Sequence, residues 1–400
     1  MDADVVIAGS GCAGLSLALR LRRYAPQARL VLVDRDHGGH PHKLWSFWSE
    51  APAAALPCPM PVRCWSRLHV AGPGWSRTSD LGPLAYCTVH SDTFESAAMD
   101  VLRVDPNVRF VTGSVRAVES TESEARVLLG DRTLRAPYAF QSCLPPEDAG
   151  PRYPIWQHFG GAVVRSERPR FDPTTFTLMN FALPQRDGPT FLYKLPFSRT
   201  EALYEHTVFS ARRLPREEHR AALLAELGRR GLGGLEIVRE EYGAIPMFER
   251  RPSQRRGPRA FNLGVVGGMA KPTTGYAFLR IQQQTEHLAR TWAAGRPSPL
   301  PDPAWRLRAY DTALLDLIHR APDQATATLQ QLLQRADPRA VLRFLDERPS
   351  VSDELAILLG ALPWGPLLRS AASALRPAQV SLAGRGRESS PGPALSGASG

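Results

Sequence analysis

Val5-Val6-Ile7-Ala8-Gly9-Ser10-Gly11-Cys12-Ala13-Gly14 decides the fold, because an apolar run of strand character opens directly into a GxGxxG loop. Past it, Leu15, Leu17, Ala18, Leu19 and Leu21 are apolar while Arg20, Arg22 and Arg23 are polar, the spacing of a helix with one buried face. A second apolar run, Leu30-Val31-Leu32-Val33, ends in Asp34, twenty residues after the last glycine. Strand, glycine loop, helix, strand and acid in this order form the opening unit of a dinucleotide-binding sheet. Gly9 permits the tight turn, Gly11 lets backbone amides approach a pyrophosphate, and Gly14 lets helix and strand pack closely. The helix N-terminus offers unpaired N–H groups and partial positive charge to phosphates. Asp34 is placed to accept the ribose hydroxyls and to repel a 2′-phosphate, so FAD or NAD is expected rather than NADP.

Composition sets wider bounds. A chain of 400 residues with 43% hydrophobic content can bury a substantial core and suits a soluble enzyme of one or two domains. The net charge of +10 comes from 49 Lys+Arg against 39 Asp+Glu, nearly all of it arginine. Arginine alongside abundant Ala, Pro and Gly reflects a high-GC genome as readily as a function; the alternative is attraction to anionic lipid headgroups. Nucleic acid is not expected, since the basic residues are dispersed without zinc-finger spacing or an aromatic RNA-binding motif. Cys12, Cys58, Cys64, Cys87 and Cys143 are odd in number and show no CxxC or Cys/His ligand pattern. Neither a disulfide framework nor a metal site is expected, and a reducing cytoplasm is the default. The N-terminus passes straight into the first strand, leaving no room for a cleavable signal peptide. No run reaches the ~18 apolar residues of a spanning helix. Leu355 to Leu368 is nevertheless uncharged, contains Ile357, Leu358, Leu359, Leu362, Trp364, Leu367 and Leu368, and is broken by Pro363 and Pro366. It reads as a core helix and turn, or as an interfacial element with Trp364 at headgroup level and Arg369 and Arg376 nearby.

The expected fold class is α/β: a Rossmann-type FAD-binding domain with a parallel sheet, a mostly antiparallel β substrate domain, and C-terminal helices. Residues 1–50, 85–150 and 255–300 are assigned to the discontinuous FAD-binding domain, and 50–85 with 151–254 to the substrate sheet. Residues 301–375 are assigned to helices, and 376–400, rich in Ser, Gly, Pro and Arg, to a disordered tail. Phe261 to Val266 followed by Gly267-Gly268 and a Thr-Thr-Gly turn gives a second strand, glycine loop, helix arrangement.

Several segments together resemble the flavin-dependent lycopene cyclases, specifically the bacterial lycopene β-cyclases. They are the fingerprint, HKLWSFW (His42 to Trp48), WQHFGG (Trp156 to Gly161), RPRFDPTTFTLMNF (Arg168 to Phe181), FLYKLPFSRTEALYEHTVFS (Phe191 to Ser210), EYGAIPMF (Glu241 to Phe248), GGMAKPTTGYAFLRIQ (Gly267 to Gln282) and FLDERPS (Phe344 to Ser350). The resemblance implies a flavoprotein hydroxylase/reductase-like fold and a lycopene or other ψ-ended carotenoid substrate. It also implies reduced FAD with NAD(P)H as reductant, and peripheral contact with the inner face of the cytoplasmic membrane. It puts the acid/base work on Glu205, where plant relatives show two adjacent acids and this chain has His206, a tolerated change or a proton-relay partner. The methionine-acid-aromatic triplet of the family reads Met179-Asn180-Phe181 here, so no acid role carries over to Asn180.

The chemistry so implied is protonation of C2 of a ψ end, ring closure by the C5=C6 bond, and loss of a proton from C6, with no net electron transfer. An acid that protonates an alkene must stay neutral, which burial of Glu205 would ensure. Trp156, Phe159, Phe181, Phe191 and Tyr193 are candidate pocket walls that could face a cation, and Glu241 is a further pocket candidate. Gly267, Gly268, Lys271, Pro272, Thr273, Thr274, Gly275 and Tyr276 are expected around the flavin's pyrophosphate, ribityl chain and ring edge. Two other functions fit the fingerprint: a flavin monooxygenase or polyprenyl reductase, and a non-catalytic relative that binds flavin or carotenoid.

Overall fold

The computed structural model describes residues 1–38, 42–145 and 153–361. The opening unit forms the strand Val5–Ala8, the helix Cys12–Tyr24 and the strand Leu30–Asp34. These join a five-stranded parallel sheet in the order Ala260–Asn262, Tyr138–Gln141, Val5–Ala8, Leu30–Asp34, Val108–Thr112. Its strands are continuously apolar because both faces are covered. Val5, Ile7, Leu30 and Leu32 pack on the helices Cys12–Tyr24 and Phe278–Ala293, while Val6, Ala8, Val31 and Val33 pack under a three-stranded meander spanning 117–136.

The second sheet has seven strands, in the order Glu236–Met247, Ile155–Arg165, Glu201–Ser210, Thr190–Pro196, Thr175–Asn180, Arg67–Gly72, Trp75–Asp80. It is antiparallel except between Thr175–Asn180 and Arg67–Gly72. Alternation divides its side chains between two environments. Ile155, Val163, Tyr193, Leu195, Leu203 and Phe209 face a core completed by Leu315, Leu329 and Leu342 of the C-terminal helices. Ala162, Val164, Leu192, Ala202 and Tyr204 face the other way, beneath Leu223 and Leu227 of the helix Arg216–Arg229.

A small antiparallel sheet of Leu44–Ser49, Ala85–His90 and Arg63–Trp65 contributes to both cores, Trp48, Trp65 and Tyr86 to that of the antiparallel sheet and Phe47, Cys87 and Val89 to that of the parallel one. Here the expectation of no disulfide is corrected. Register sets Cys64 opposite Cys87 with Cα atoms 4.1 Å apart, and the two are bonded. Cys12, Cys58 and Cys143 are free. The helices Trp305–Arg320, Pro322–Arg335, Pro338–Leu345 and Val351–Ala356 follow. Among the described residues no helix is long and apolar enough to cross a membrane. Residues 362–368 of the uncharged run, Trp364 among them, and the expected disordered tail lie outside the described residues.

Candidate active site

Four residues from four adjacent strands form one row across the second sheet. Tyr193 lies opposite Glu205, Glu205 opposite Gly161, and Gly161 opposite Glu241. The row sits on the face that meets the C-terminal helical core. A Cβ at Gly161 would come within 2.8 Å of Glu205 Cγ and 3.1 Å of Glu241 Cγ. Glycine there leaves bare backbone over which two carboxyls from flanking strands reach each other within hydrogen-bonding range. Burial first, and then the neighbouring Glu241, push the Glu205 carboxyl well above its ordinary range. Burial raises Glu241 too, opposed by the bond to Glu205 and the Arg239 charge. Glu205 keeps partial solvent accessibility although protein encloses it, as a cleft-lining side chain does, and Glu241 Oε1 is buried without a partner.

Beside the row runs a chain of hydroxyls. Tyr193 Oη lies 3.0 Å from Ser46 Oγ and 2.7 Å from Tyr86 Oη, which lies 2.7 Å from Tyr276 Oη. Burial holds all three phenols well above their ordinary values, so they remain neutral donors. Tyr86 stacks on Phe176 at 4.1 Å between centroids, which fixes the hub of the chain.

Tyr276 belongs to the loop that follows the strand Ala260–Asn262. Gly275 has φ +69° and approaches so near the sheet that a Cβ would sit 2.8 Å from Gln157 Oε1 and 3.1 Å from Ile245 Cγ2. The loop is thereby pressed against the face that carries Glu205. Its anchorage is ionic. Lys271 Nζ donates to Asp311 Oδ1 at 2.5 Å and Thr273 Oγ1 donates to the same oxygen at 2.8 Å. Glu347 pairs with Arg251 and Arg280 in the same buried cluster. Lys271 and Thr273 therefore spend their side chains on the helix Trp305–Arg320, which narrows the expected flavin contact at those two positions to backbone.

The residues present fit a dinucleotide. Gly9 has φ +102°, a Cβ at Gly14 would strike the Gly9 carbonyl oxygen, and nothing stands within 4 Å of the Cβ position at Gly11, the N-cap of the first helix. Asp34 Oδ2 accepts from Ser10 N at 2.6 Å and from its hydroxyl at 3.1 Å, so the carboxylate also shapes the loop. Gln157 Oε1 and Thr207 Oγ1, on the sheet face turned toward the glycine loop, are buried without protein partners, like Glu241 Oε1. An uncompensated polar wall of this kind suits a polar ring system.

Other sequence candidates are placed differently. His206 follows Glu205 and so points through the opposite face, where its Nδ1 lies 2.9 Å from His219 Nδ1. His219 Nε2 meets His158 Nδ1 at 2.8 Å, and His158 Nε2 meets Ser210 Oγ at 2.9 Å. Burial, then the adjacent imidazoles, push His158 and His206 down to about 4. The expected relay from His206 to Glu205 is corrected on this point, since the sheet separates them. Trp156 shares that outer face, with the Arg213 guanidinium 4.7 Å over its ring, and does not line the row's face. Phe181 is fully buried against Phe191 at 5.8 Å, as core. Phe159 does lie on the row's face, across from Gly243, where a Cβ would come within 2.5 Å of its ring. Asn180 lines a polar recess on the outer face with Thr177, Lys194 and His69, its Oδ1 accepting from Ala182 N at 2.9 Å. Gly161, Tyr86, Ser46 and Asp311 escape sequence reasoning, because their importance exists only in register and tertiary contact. His42, His90 and Asp92 also converge unannounced by spacing, with ligand-type atoms within 4.8 Å of one another.

A parallel nucleotide-type sheet joined to an antiparallel sheet, with a glycine loop between acid row and helices, is the fold of flavoprotein hydroxylases and reductases. The chain resembles PqsL of Pseudomonas aeruginosa, solved with 2-aminobenzoylacetate, at 17% identity and TM-score 0.57 over 81% of this chain and 98% of that one. It resembles a geranylgeranyl bacteriochlorophyll reductase-like protein of Thermoplasma acidophilum at 12% identity and TM-score 0.60, covering 93% and 99%. Within that fold the chain belongs to the lycopene cyclase family, whose model, described as lycopene cyclase protein, matches residues 4–372. Relatives include the lycopene beta-cyclase of Paracoccus sp. (strain N81106 / MBIC 01143), 26% identical over 402 residues, 92% of this chain and 97% of that protein. The lycopene beta-cyclase of Pantoea ananas is 26% identical over 296 residues, 68% of this chain and 70% of that protein.

Proposed function

We propose that this chain is a lycopene β-cyclase, an intramolecular lyase that closes the ψ end groups of lycopene to β rings, giving γ-carotene and β-carotene without net redox change. The observation that carries this reading is Glu205, a carboxyl enclosed by protein on the sheet face that meets the glycine loop, where burial pushes it well above its ordinary range. A hydrocarbon substrate offers no polar handle, so binding rests on apolar burial, and reaction starts with a proton delivered to C2 of the end group. The Glu205 carboxyl donates that proton, leaving a tertiary cation at C1 that the C5=C6 bond attacks. Tyr193 and Tyr276, neutral and hydrogen-bonded through Tyr86, hold the wall of the site in place and keep water from the cation.

Gly9–Gly14 and the Gly267–Tyr276 loop would hold FAD, which, kept reduced by NAD(P)H, would supply an electron-rich ring whose charge favours the cation. The protein works at the inner face of the cytoplasmic membrane, where a water-insoluble carotenoid resides. Trp305, Val351, Leu355 and Leu359, apolar and at least half exposed, support such a contact.

Pigment chromatography of lycopene-producing bacteria tests the reading. With the parent chain, lycopene should give way to γ- and β-carotene; with Glu205→Gln at equal protein level, lycopene should persist, a loss of at least ~10²-fold. A folded, yellow parent that leaves lycopene untouched would reject the cyclase reading. Oxygen and NADPH consumed in step with product would point to the monooxygenase or reductase alternative.

A further inference from the structure

Glu241 is an enclosed acid on the row's face to which the reaction above gives no role, and the geometry around it is specific. Its carboxyl meets that of Glu205 over Gly161, the only residue type that leaves room at that point, and one of its oxygens has no protein partner. The groups facing the pair from neighbouring elements are mostly neutral: Tyr193 on the adjoining strand and Tyr276 on the glycine loop, both bonded to Tyr86 of the small sheet. Arg239 on Glu241's own strand is a cation that bears on it. On the helix Trp305–Arg320, Asp316 accepts from Arg320 through Oδ1 while its Oδ2 is buried without a protein partner, and His319 packs on Tyr153. Two carboxylates this close in so apolar a place cannot both be ionised at low cost, whereas a carboxylic acid bonded to a carboxylate satisfies both groups.

We propose that Glu205 and Glu241 form a catalytic dyad that holds one proton, with Glu205 as the acid for C2 and Glu241 as the base for C6. This rests on the cyclase reading and completes its proton balance. The C1=C2 electrons take the Glu205 proton, forming the C2–H bond and a cation at C1. The C5=C6 electrons then form the C1–C6 bond, which moves the cation to C5. Both carboxyls are now ionised and face the cation, lowering its energy. Glu241 removes the C6 proton, and the C6–H electrons become the C5=C6 bond of the β ring. The pair again holds one proton, which crosses the carboxyl contact to Glu205. No electron leaves or enters, and no outside base is required.

Glu241→Gln tests this in the full-length, flavin-loaded protein, with lycopene in vesicles as probe. The expected result is a rate lower by about 10²–10⁴-fold, with the residual product shifted toward ε or exocyclic rings as the C5 cation loses a proton from C4 or the methyl group. The parent's rate should be bell-shaped in pH, because both the empty and the doubly protonated pair are inactive. In Glu241→Gln the acidic limb should vanish and the basic limb move to lower pH, since the charge that holds the Glu205 proton is gone. A variant that makes only β rings with the parent's pH profile would overturn the dyad while leaving the cyclase reading intact. If Glu241→Gln does not fold, Gly161→Ala, which keeps both carboxyls but forces them apart, should show the same product shift and a loss of about 10²-fold. Infrared spectroscopy of the protein without substrate decides the pair even if the cyclase reading fails. A protonated carboxyl band present at neutral pH in the parent should shift in both Glu205→Gln and Glu241→Gln, since either change replaces the bond between acid and carboxylate, and an unshifted band in the latter would overturn the dyad.

Discussion

Glu205 and His206 are neighbours in sequence and are both kept uncharged by burial, one as an acid that retains its proton and the other as an imidazole that refuses one. The same dielectric penalty acts with opposite sign on the two types of group. It has a measurable consequence at the imidazoles. His158 and His206 are held at about 4 against an ordinary value of 6.5. Between those values the unfolded chain binds protons that the folded chain refuses, so their contribution is intact above pH 6.5 and is drained as pH falls toward 4. Glu205 and Glu241, raised by burial, act in the opposite sense, so the comparison must be between parent and variant. His206→Asn should flatten the fall of melting temperature between pH 7 and pH 5; an unchanged slope would show that the trio does not titrate as described. Glu205 itself was legible in the sequence through its motif. Glu241 as its partner was not, because only the register of three strands brings the two together over Gly161.

At the scale of elements, the glycine loop is held by charge rather than by its own turns. Asp311 receives both Lys271 and Thr273, and the surrounding arginines converge on Glu347. Burial lowers Arg280 to about 10, while burial raises Asp346, which lines a cavity with Arg280 and Lys271, to about 6. Removing one partner of such a cluster strands a buried charge. Asp311→Asn should cost about 3–5 kcal/mol of stability and release the loop, seen as a lower melting temperature and a reduced flavin-to-protein ratio after gel filtration. Retention of full flavin occupancy would show that the anchor is dispensable for the cofactor. The loop's sequence advertised its glycines and its following helix. Its anchor stayed hidden because Lys271 reads equally well as a phosphate ligand, and only the packing of the helix Trp305–Arg320 shows which role its ammonium takes.

At the scale of the molecule, hydropathy patterning carried the architecture: the parallel sheet in its continuous apolar strands, the second sheet in its alternating ones. What it could not carry was pairing between distant segments, and the Cys64–Cys87 bridge is the sharpest case, joining residues 23 apart whose spacing matches no motif. Under denaturing, non-reducing conditions, alkylation followed by mass spectrometry should modify Cys12, Cys58 and Cys143 and spare the bridged pair; all five should react after reduction. A loop of that size adds about 3 kcal/mol to stability in the chain-entropy account, so reductant should lower the melting temperature. Five alkylated cysteines without reductant would exclude the bridge in the purified protein.

The alternation along Glu201–Ser210 gives the sheet something like a reading frame. Inserting one residue into the short turn at 197–200, exposed though that turn partly is, would leave the strand free to pair again only by exchanging its two faces. His206 would then stand on the acid's face, and Glu205 would be driven to the opposite one, beside the two remaining imidazoles of His158 and His219. Two inserted residues would restore the phase. The turn can therefore vary in composition far more freely than in parity, a constraint that a substitution scan would miss and a deletion scan would find at once.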